Sequence, residues 1–181
     1  GCCYNADKIG PVESWFDLLK PEFKGKVGLV DDGYGMILMA GIAVGLAKQL
    51  PNLTQKELAD VKKFLLDLKG QARSIAASYG DQSNMMISGE IVAAFPGWAA
   101  LNVWAGASGV NVKMNVPKEG GFAFTDAYAI PAGADNVESA LAWINEALSP
   151  AAQACQATSL AAGVVNLKAV PLLDKTTASM Y

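Results

Sequence analysis

The stretch Val116-Pro117-Lys118-Glu119-Gly120-Gly121-Phe122-Ala123-Phe124-Thr125-Asp126-Ala127-Tyr128-Ala129-Ile130-Pro131 is where this chain changes character. The Gly120-Gly121 pair frees the backbone for a sharp bend. An extended run follows in which aromatic, polar and aliphatic residues alternate, and Ile130-Pro131 closes it. One carboxylate, Asp126, stands between Phe124 and Tyr128. An acid flanked by aromatic rings suits an alkylammonium. The charge neutralises the cation, and each ring face adds about 0.5–2 kcal/mol of cation–π attraction. The same pattern also describes a buried strand whose Asp accepts hydrogen bonds from neighbouring backbone N–H groups, and both readings stay open here.

Upstream of that stretch, short strands alternate with helices. Gly1 to Asn5, Lys26 to Val30, Arg73 to Ser78, Glu90 to Phe95 and Val110 to Val116 read as strands, broken by turn residues. Ser14 is positioned to cap a short helix that Pro21 stops. Met36 to Leu50 is apolar nearly all round and reads as a buried helix. Thr54 and Glu57 form a capping box ahead of a stripe of Leu58, Val61, Phe64, Leu65 and Leu68. Asp81 to Ser88 and Trp98 to Ala107 read as helices. Downstream, Asp135 with Glu138 opens a helix, and Ser149-Pro150 opens another that runs to about Ala162. The alternation argues for an α/β fold with a largely parallel sheet.

Composition narrows the function classes. The chain has 181 residues, 52% of them hydrophobic and 17% charged, which excludes a disordered chain. Its net charge is −3 with no long basic run, which argues against a nucleic-acid partner. No apolar run is long enough to span a bilayer, and Gly1-Cys2-Cys3 does not open a signal peptide. Histidine is absent and no nucleophile elbow or phosphate loop occurs, so catalysis and a resident cofactor have no support. Cys2, Cys3 and Cys155 leave one thiol over in any intrachain pairing. They read as small buried residues or as a bridge from Cys2 or Cys3 to Cys155.

The order of short motifs resembles the spermidine/putrescine-type periplasmic binding proteins of ABC importers. The motifs are Gly1-x-x-Tyr4-Asn5-x-Asp7, Ser14 to Leu19, Pro21 to Lys26, Asp31-Asp32, Ser88-Gly89-Glu90 and Gly97-Trp98. Pro117 to Gly121, an aromatic two residues before Asp126, Ala129-Ile130-Pro131 and Asn166 complete the series. The resemblance implies a type II periplasmic-binding-protein fold, with a three-layer lobe, and a partial chain. Residues 1–121 would form the second lobe, with hinge strands near 1–5 and 110–121. Residues 122–181 would return to the first lobe, whose N-terminal part would be a further partner of this chain. It also implies a periplasmic location, ABC permease subunits as partners, and a small amine or amino acid held in a cleft between lobes by closure rather than bond chemistry.

On that resemblance Asp126 and Asp32 are the carboxylates that meet an amine, and Trp98, Phe124 and Tyr34 supply apolar and aromatic walls. Asp32 also reads as a plain helix cap, Trp98 as a core tryptophan, and Arg73 as either a solvent-facing arginine or a clamp for a cargo carboxylate. Phe124 stands where polyamine binders often carry tryptophan. Gly35 stands where they carry a second acid, and its loss makes a cargo with one ammonium, such as GABA, an alternative to a polyamine. Two other classes fit the architecture: an effector-sensing domain of a transcriptional regulator and a ferric-ion-binding periplasmic protein. A thiol-dependent enzyme using Cys2 or Cys3 is a third.

Overall fold

A computed structural model describes residues 1–178. The chain divides into two compact units, Gly1–Ala123 and Phe124–Tyr181. The first is built on a five-stranded sheet of β1 (Cys2–Asn5), β2 (Val27–Val30), β3 (Ala72–Ala76), β4 (Ala93–Phe95) and β5 (Val112–Asn115), in the order β3-β2-β4-β1-β5. β2 pairs in parallel with both β3 and β4, while β1 pairs antiparallel with β4 and β5. Four strands thus run one way and β1 runs against them, a mixed sheet that is mostly parallel.

Helices cover both faces of this sheet. Side chains alternate across a strand, so Cys2, Val27, Leu29, Ala93 and Phe95 fall in one core while Cys3 and Ala94 fall in the other. The first core is closed by α1 (Gly33–Ala43), α2 (Gln55–Gln71) and a short 3-10 helix, Trp15–Leu19. Trp15 meets Phe95 edge-on with ring centroids 5.0 Å apart. The second core is closed by α3 (Tyr79–Ser88) and α4 (Ala100–Ala107) through Met86, Leu101 and Ala105. Truncating an aromatic side chain such as Phe95 to Ala in a core of this kind costs about 3–5 kcal/mol.

Local signals explain the helix ends. The Thr54 backbone N–H donates to Glu57 Oε2 at 2.8 Å, and Thr54 Oγ1 accepts from Glu57 N at 3.3 Å, which is the expected reciprocal cap of α2. Along its stripe Val61, Phe64 and Leu68 are buried, whereas Leu58 lies on the exposed side. The apolar segment after Asp32 differs from expectation. Its helix starts three residues early, at Gly33, because Asp32 caps it, and it ends at Ala43 rather than Leu50. α3 likewise starts at Tyr79, before Asp81, because Ser78 caps it.

The motif Pro117 to Gly120 is an anchor within the first unit. The Lys118 N–H donates to Glu13 O at 2.8 Å. The Glu119 carboxylate accepts hydrogen bonds from Ser14 Oγ and from Trp15 N, the latter at 3.0 Å. The indole Nε1–H of Trp15 donates to Gly120 O at 2.9 Å. Gly120 has φ +98°, a left-handed conformation that costs a residue with Cβ far more than glycine. Two motifs more than a hundred residues apart are thereby tied together at the start of the 3-10 helix.

Beyond this anchor, Phe122 to Ile130 forms no strand. Strands exist by sharing ladder hydrogen bonds, and among the described residues no strand pairs with this segment. The second unit contains α5 (Val137–Ala147) and α6 (Pro150–Leu160), followed by a 3-10 helix, Leu167–Leu172. α5 is preceded by Asn136 without a side-chain cap, in place of the expected Asp135 and Glu138 pair. Gln153 holds this unit together. Its Nε2 donates to Ala147 O at 3.2 Å, and its Oε1 accepts from Val165 N at 3.0 Å. Asn166 spans the same turn, donating to Leu148 O at 2.8 Å.

Glu119 supplies a test of the anchor. Burial alone would raise its carboxyl, but the bonds from Ser14 and Trp15 outweigh that and hold it below the ordinary glutamate value. The carboxyl titrates lower in the folded chain than in the unfolded one, so its contribution is complete above the unfolded value near 4.5 and is lost as pH falls through the depressed folded value. Glu119→Gln is expected to destabilise the first unit by about 1–3 kcal/mol at pH 7. Urea unfolding followed by tryptophan fluorescence should show that gap narrowing as the pH is lowered below 4.5. A gap that does not change with pH would contradict a charged anchor.

Candidate functional site

Parallel strands put their carboxyl ends on one edge, where open α/β sheets bind ligands. Here the residues that follow β2, β3 and β4 are Asp31-Asp32, Ala77-Ser78-Tyr79 and, past Pro96-Gly97, Trp98. β1 runs the other way, so its first residue reaches the same edge, where Gly97 N donates to Gly1 O at 2.8 Å. The spacing of neighbouring strands brings the three loops side by side.

Asp32 is the centre of this edge. Its Oδ1 accepts from Gly35 N at 2.9 Å, capping α1, and its Oδ2 accepts from Tyr79 Oη at 3.0 Å. Each carboxylate oxygen has two lone pairs, so both oxygens keep one acceptor site after these bonds. Tyr79 meets Trp98 edge-on at 5.8 Å, and Trp98 meets Trp104 edge-on at 5.4 Å. Burial, and then the bond to Asp32, push the Tyr79 phenol well above the ordinary tyrosine range. Its proton therefore stays on oxygen and is donated to Asp32 at any physiological pH. A half-buried carboxylate beside a run of aromatic edges offers an ammonium group both charge and an apolar wall.

Gly35 explains how the carboxylate fits. A Cβ built at Gly35 would collide with Asp32 Oδ2 and its carboxyl carbon. The glycine is the space into which the capping carboxylate folds.

The other expected site residues are spread along the chain. Tyr34 lies on the first turn of α1 and is 70% exposed. Arg73 sits at the amino end of β3, on the opposite edge from Asp32, and its side chain pairs with Glu90 at 3.5 Å. Asp126, Phe124 and Tyr128 belong to the second unit, and all three are exposed. Asp126 is exposed and has no hydrogen-bond or ion-pair partner among the described residues. Tyr128 meets Trp143 edge-on at 5.1 Å, beside an open apolar groove of about 320 Å³ that Ile130, Pro131 and Ala140 also line.

Sequence reading missed Tyr79. A helix read from Asp81 leaves Tyr79 outside it, although Ser78, three residues before Asp81, is a capping signal. All three cysteines are free thiols, with Cys2 and Cys3 buried and Cys155 exposed. Cys2 and Cys3 face opposite sides of β1, which excludes a bond between these neighbours. Burial pushes the Cys3 thiol up to about 12 and Cys2 higher still, so neither is a ready nucleophile. No helix among the described residues is long and apolar enough to cross a membrane.

The sequence profile described as bacterial extracellular solute-binding protein matches residues 1–179. The chain belongs to this family. Among its relatives in the solute-binding family, the spermidine/putrescine-binding periplasmic protein of Escherichia coli (strain K12) is 33% identical over 173 residues, which cover 94% of this chain and 48% of that protein. The chain thus spans about half the length of the curated relatives it matches. Solved structures agree on the fold. A spermidine/putrescine ABC transporter substrate-binding protein from Streptococcus pneumoniae superposes with a TM-score of 0.72 at 21% identity, over 98% of this chain and 54% of that one. A GABA receptor superposes with a TM-score of 0.73 at 23% identity, over 99% and 55%.

Gly35 makes the geometry of this solute-binding chain testable. In an ordinary helix, Gly→Ala adds about 1 kcal/mol of stability. Here the new methyl would displace the capping carboxylate, whose loss costs about 0.5–2 kcal/mol. Gly35→Ala is therefore expected to lower the midpoint of denaturant unfolding rather than raise it. A raised midpoint would show that Asp32 does not fold over this glycine.

Proposed function

We propose that this chain is part of the substrate-binding component of an ABC importer, and that it captures a small cationic or zwitterionic amine. The observation that carries this is Asp32, a carboxylate with free acceptor sites at the carboxyl edge of three parallel strands, hydrogen-bonded to Tyr79, whose ring packs on Trp98. Membership of the solute-binding family supports binding without bond chemistry. Relatives named for spermidine and putrescine, and a neighbour named as a GABA receptor, support an amine as the solute. The same relatives support a periplasmic location and ABC permease subunits as partners.

In this reading residues 1–121 form most of the second lobe of a two-lobe binding protein, and residues 122–181 belong to the first. Asp126, with Phe124 and Tyr128 flanking it, is the second carboxylate offered to an ammonium. Gly35 leaves α1 without an acid in its first turn. A solute with a single ammonium end, such as an ω-amino acid, needs fewer carboxylate partners than a diamine and is favoured where that acid is missing.

Calorimetry on the protein expressed from its complete gene tests the reading. Putrescine, spermidine and 4-aminobutanoate are titrated beside a neutral sugar and ferric citrate. Heat from at least one amine, with 4-aminobutanoate tighter than putrescine, is the expected result. Heat from the sugar or iron alone would refute the amine reading.

A second measurement addresses Asp126. Asp126→Asn removes a charge-assisted bond and leaves an ammonium facing an uncharged amide. The expected loss is about 2–4 kcal/mol of binding free energy. An unchanged dissociation constant in a normally folded variant would remove Asp126 from the site.

A further inference from the structure

Asp32 does not stand alone, and the residue that holds it lies on a different strand and helix. Tyr79 is the first residue of α3, placed by the Ser78 cap at the end of β3. Its hydroxyl reaches across the β3–β2 step to Asp32 Oδ2 at 3.0 Å. The other oxygen is held by Gly35 N at 2.9 Å, and the space above Gly35 is filled by the carboxylate itself. The Tyr79 ring is in turn packed against Trp98, which packs against Trp104. A carboxylate on a rotatable side chain is thus pinned at both oxygens, by one donor from its own helix and one from the neighbouring loop.

We propose that Tyr79 is a positioning residue for ligand capture: its hydroxyl fixes the Asp32 carboxylate so that the remaining acceptor sites point to one ammonium group lying along Trp98. This rests on the reading of Asp32 as an ammonium receptor. Without the tyrosine, rotation about the Asp32 side chain is limited only by the Gly35 bond, and an incoming cation must order the carboxylate as it binds. Pre-ordering removes that cost. The hydroxyl also occupies one acceptor site on Oδ2, which limits how many N–H groups Asp32 can serve.

The test uses the protein expressed from its complete gene, with Tyr79→Phe, Asp32→Asn and the double variant. Tyr79→Phe keeps the ring on Trp98 and removes only the hydroxyl. The expected result is binding of 4-aminobutanoate or putrescine weakened about 3- to 10-fold, with the thermal midpoint little changed. Asp32→Asn is expected to weaken binding more. If Tyr79 acts through Asp32, the double variant binds no more weakly than Asp32→Asn alone. Independent, multiplying losses would overturn the proposal, as would a Tyr79→Phe protein that binds like the wild type.

A ligand-free measurement separates this idea from the amine reading. Carbon-13 NMR of the tyrosine Cζ atoms should show the Tyr79 phenol titrating at lower pH in Asp32→Asn than in the wild type. No change would show that the pair is not formed, whatever the protein binds. If the phenol shifts as expected but no amine binds the wild type, the amine reading fails, and with it the capture role, while the tyrosine–carboxylate pair stands.

Discussion

The parallel pairing of β2 with β3 on one side and β4 on the other constrains everything else in the first unit. Parallel neighbours cannot be joined by tight hairpins, so each connection must cross a face of the sheet. Those crossings are the helices, and they bury both faces in two separate cores. The same constraint gathers the carboxyl ends of three strands on one edge. Asp32, Tyr79 and Trp98 come from stretches of chain far apart in sequence, and they meet because the strands before them are neighbours.

Asp32 has one observed role and one proposed role. As a cap it satisfies an orphan N–H of α1, worth about 1 kcal/mol. As the proposed acceptor for an ammonium it would contribute about 1.5–3 kcal/mol. The two do not compete, because capping uses one lone pair and leaves others. Gly35 is what allows the geometry, since any larger residue would push the carboxylate away from both the helix and Tyr79.

The stretch from Val116 to Pro131 divides by function. Its first part is structural, since Glu119 and Gly120 lock onto Ser14 and Trp15. Its second part is open, with Phe124, Asp126 and Tyr128 exposed. The aromatic and acidic pattern is the same in both descriptions of that second part. What differs from a buried strand is the lack of a neighbouring strand to complete its ladder among the described residues.

The elements whose signals are local were legible in the sequence. The Thr54 and Glu57 box, the Ser14 cap and the Ser149-Pro150 start depend on side chains within a turn of the bonds they make. The five strands followed from apolar runs between turn residues, and motif order indicated the family. What the sequence could not determine was contact between distant residues. Glu119 reads as a turn acid until it meets Trp15 across the fold. Tyr79 reads as a loop tyrosine until the β3–β2 pairing brings it to Asp32. The length of α1 is not legible in hydropathy, which does not report where a cap begins or a backbone turns away. Helix and strand formation depend on neighbours in sequence, while a carboxylate's partners depend on which strands lie side by side, and only the tertiary structure decides that.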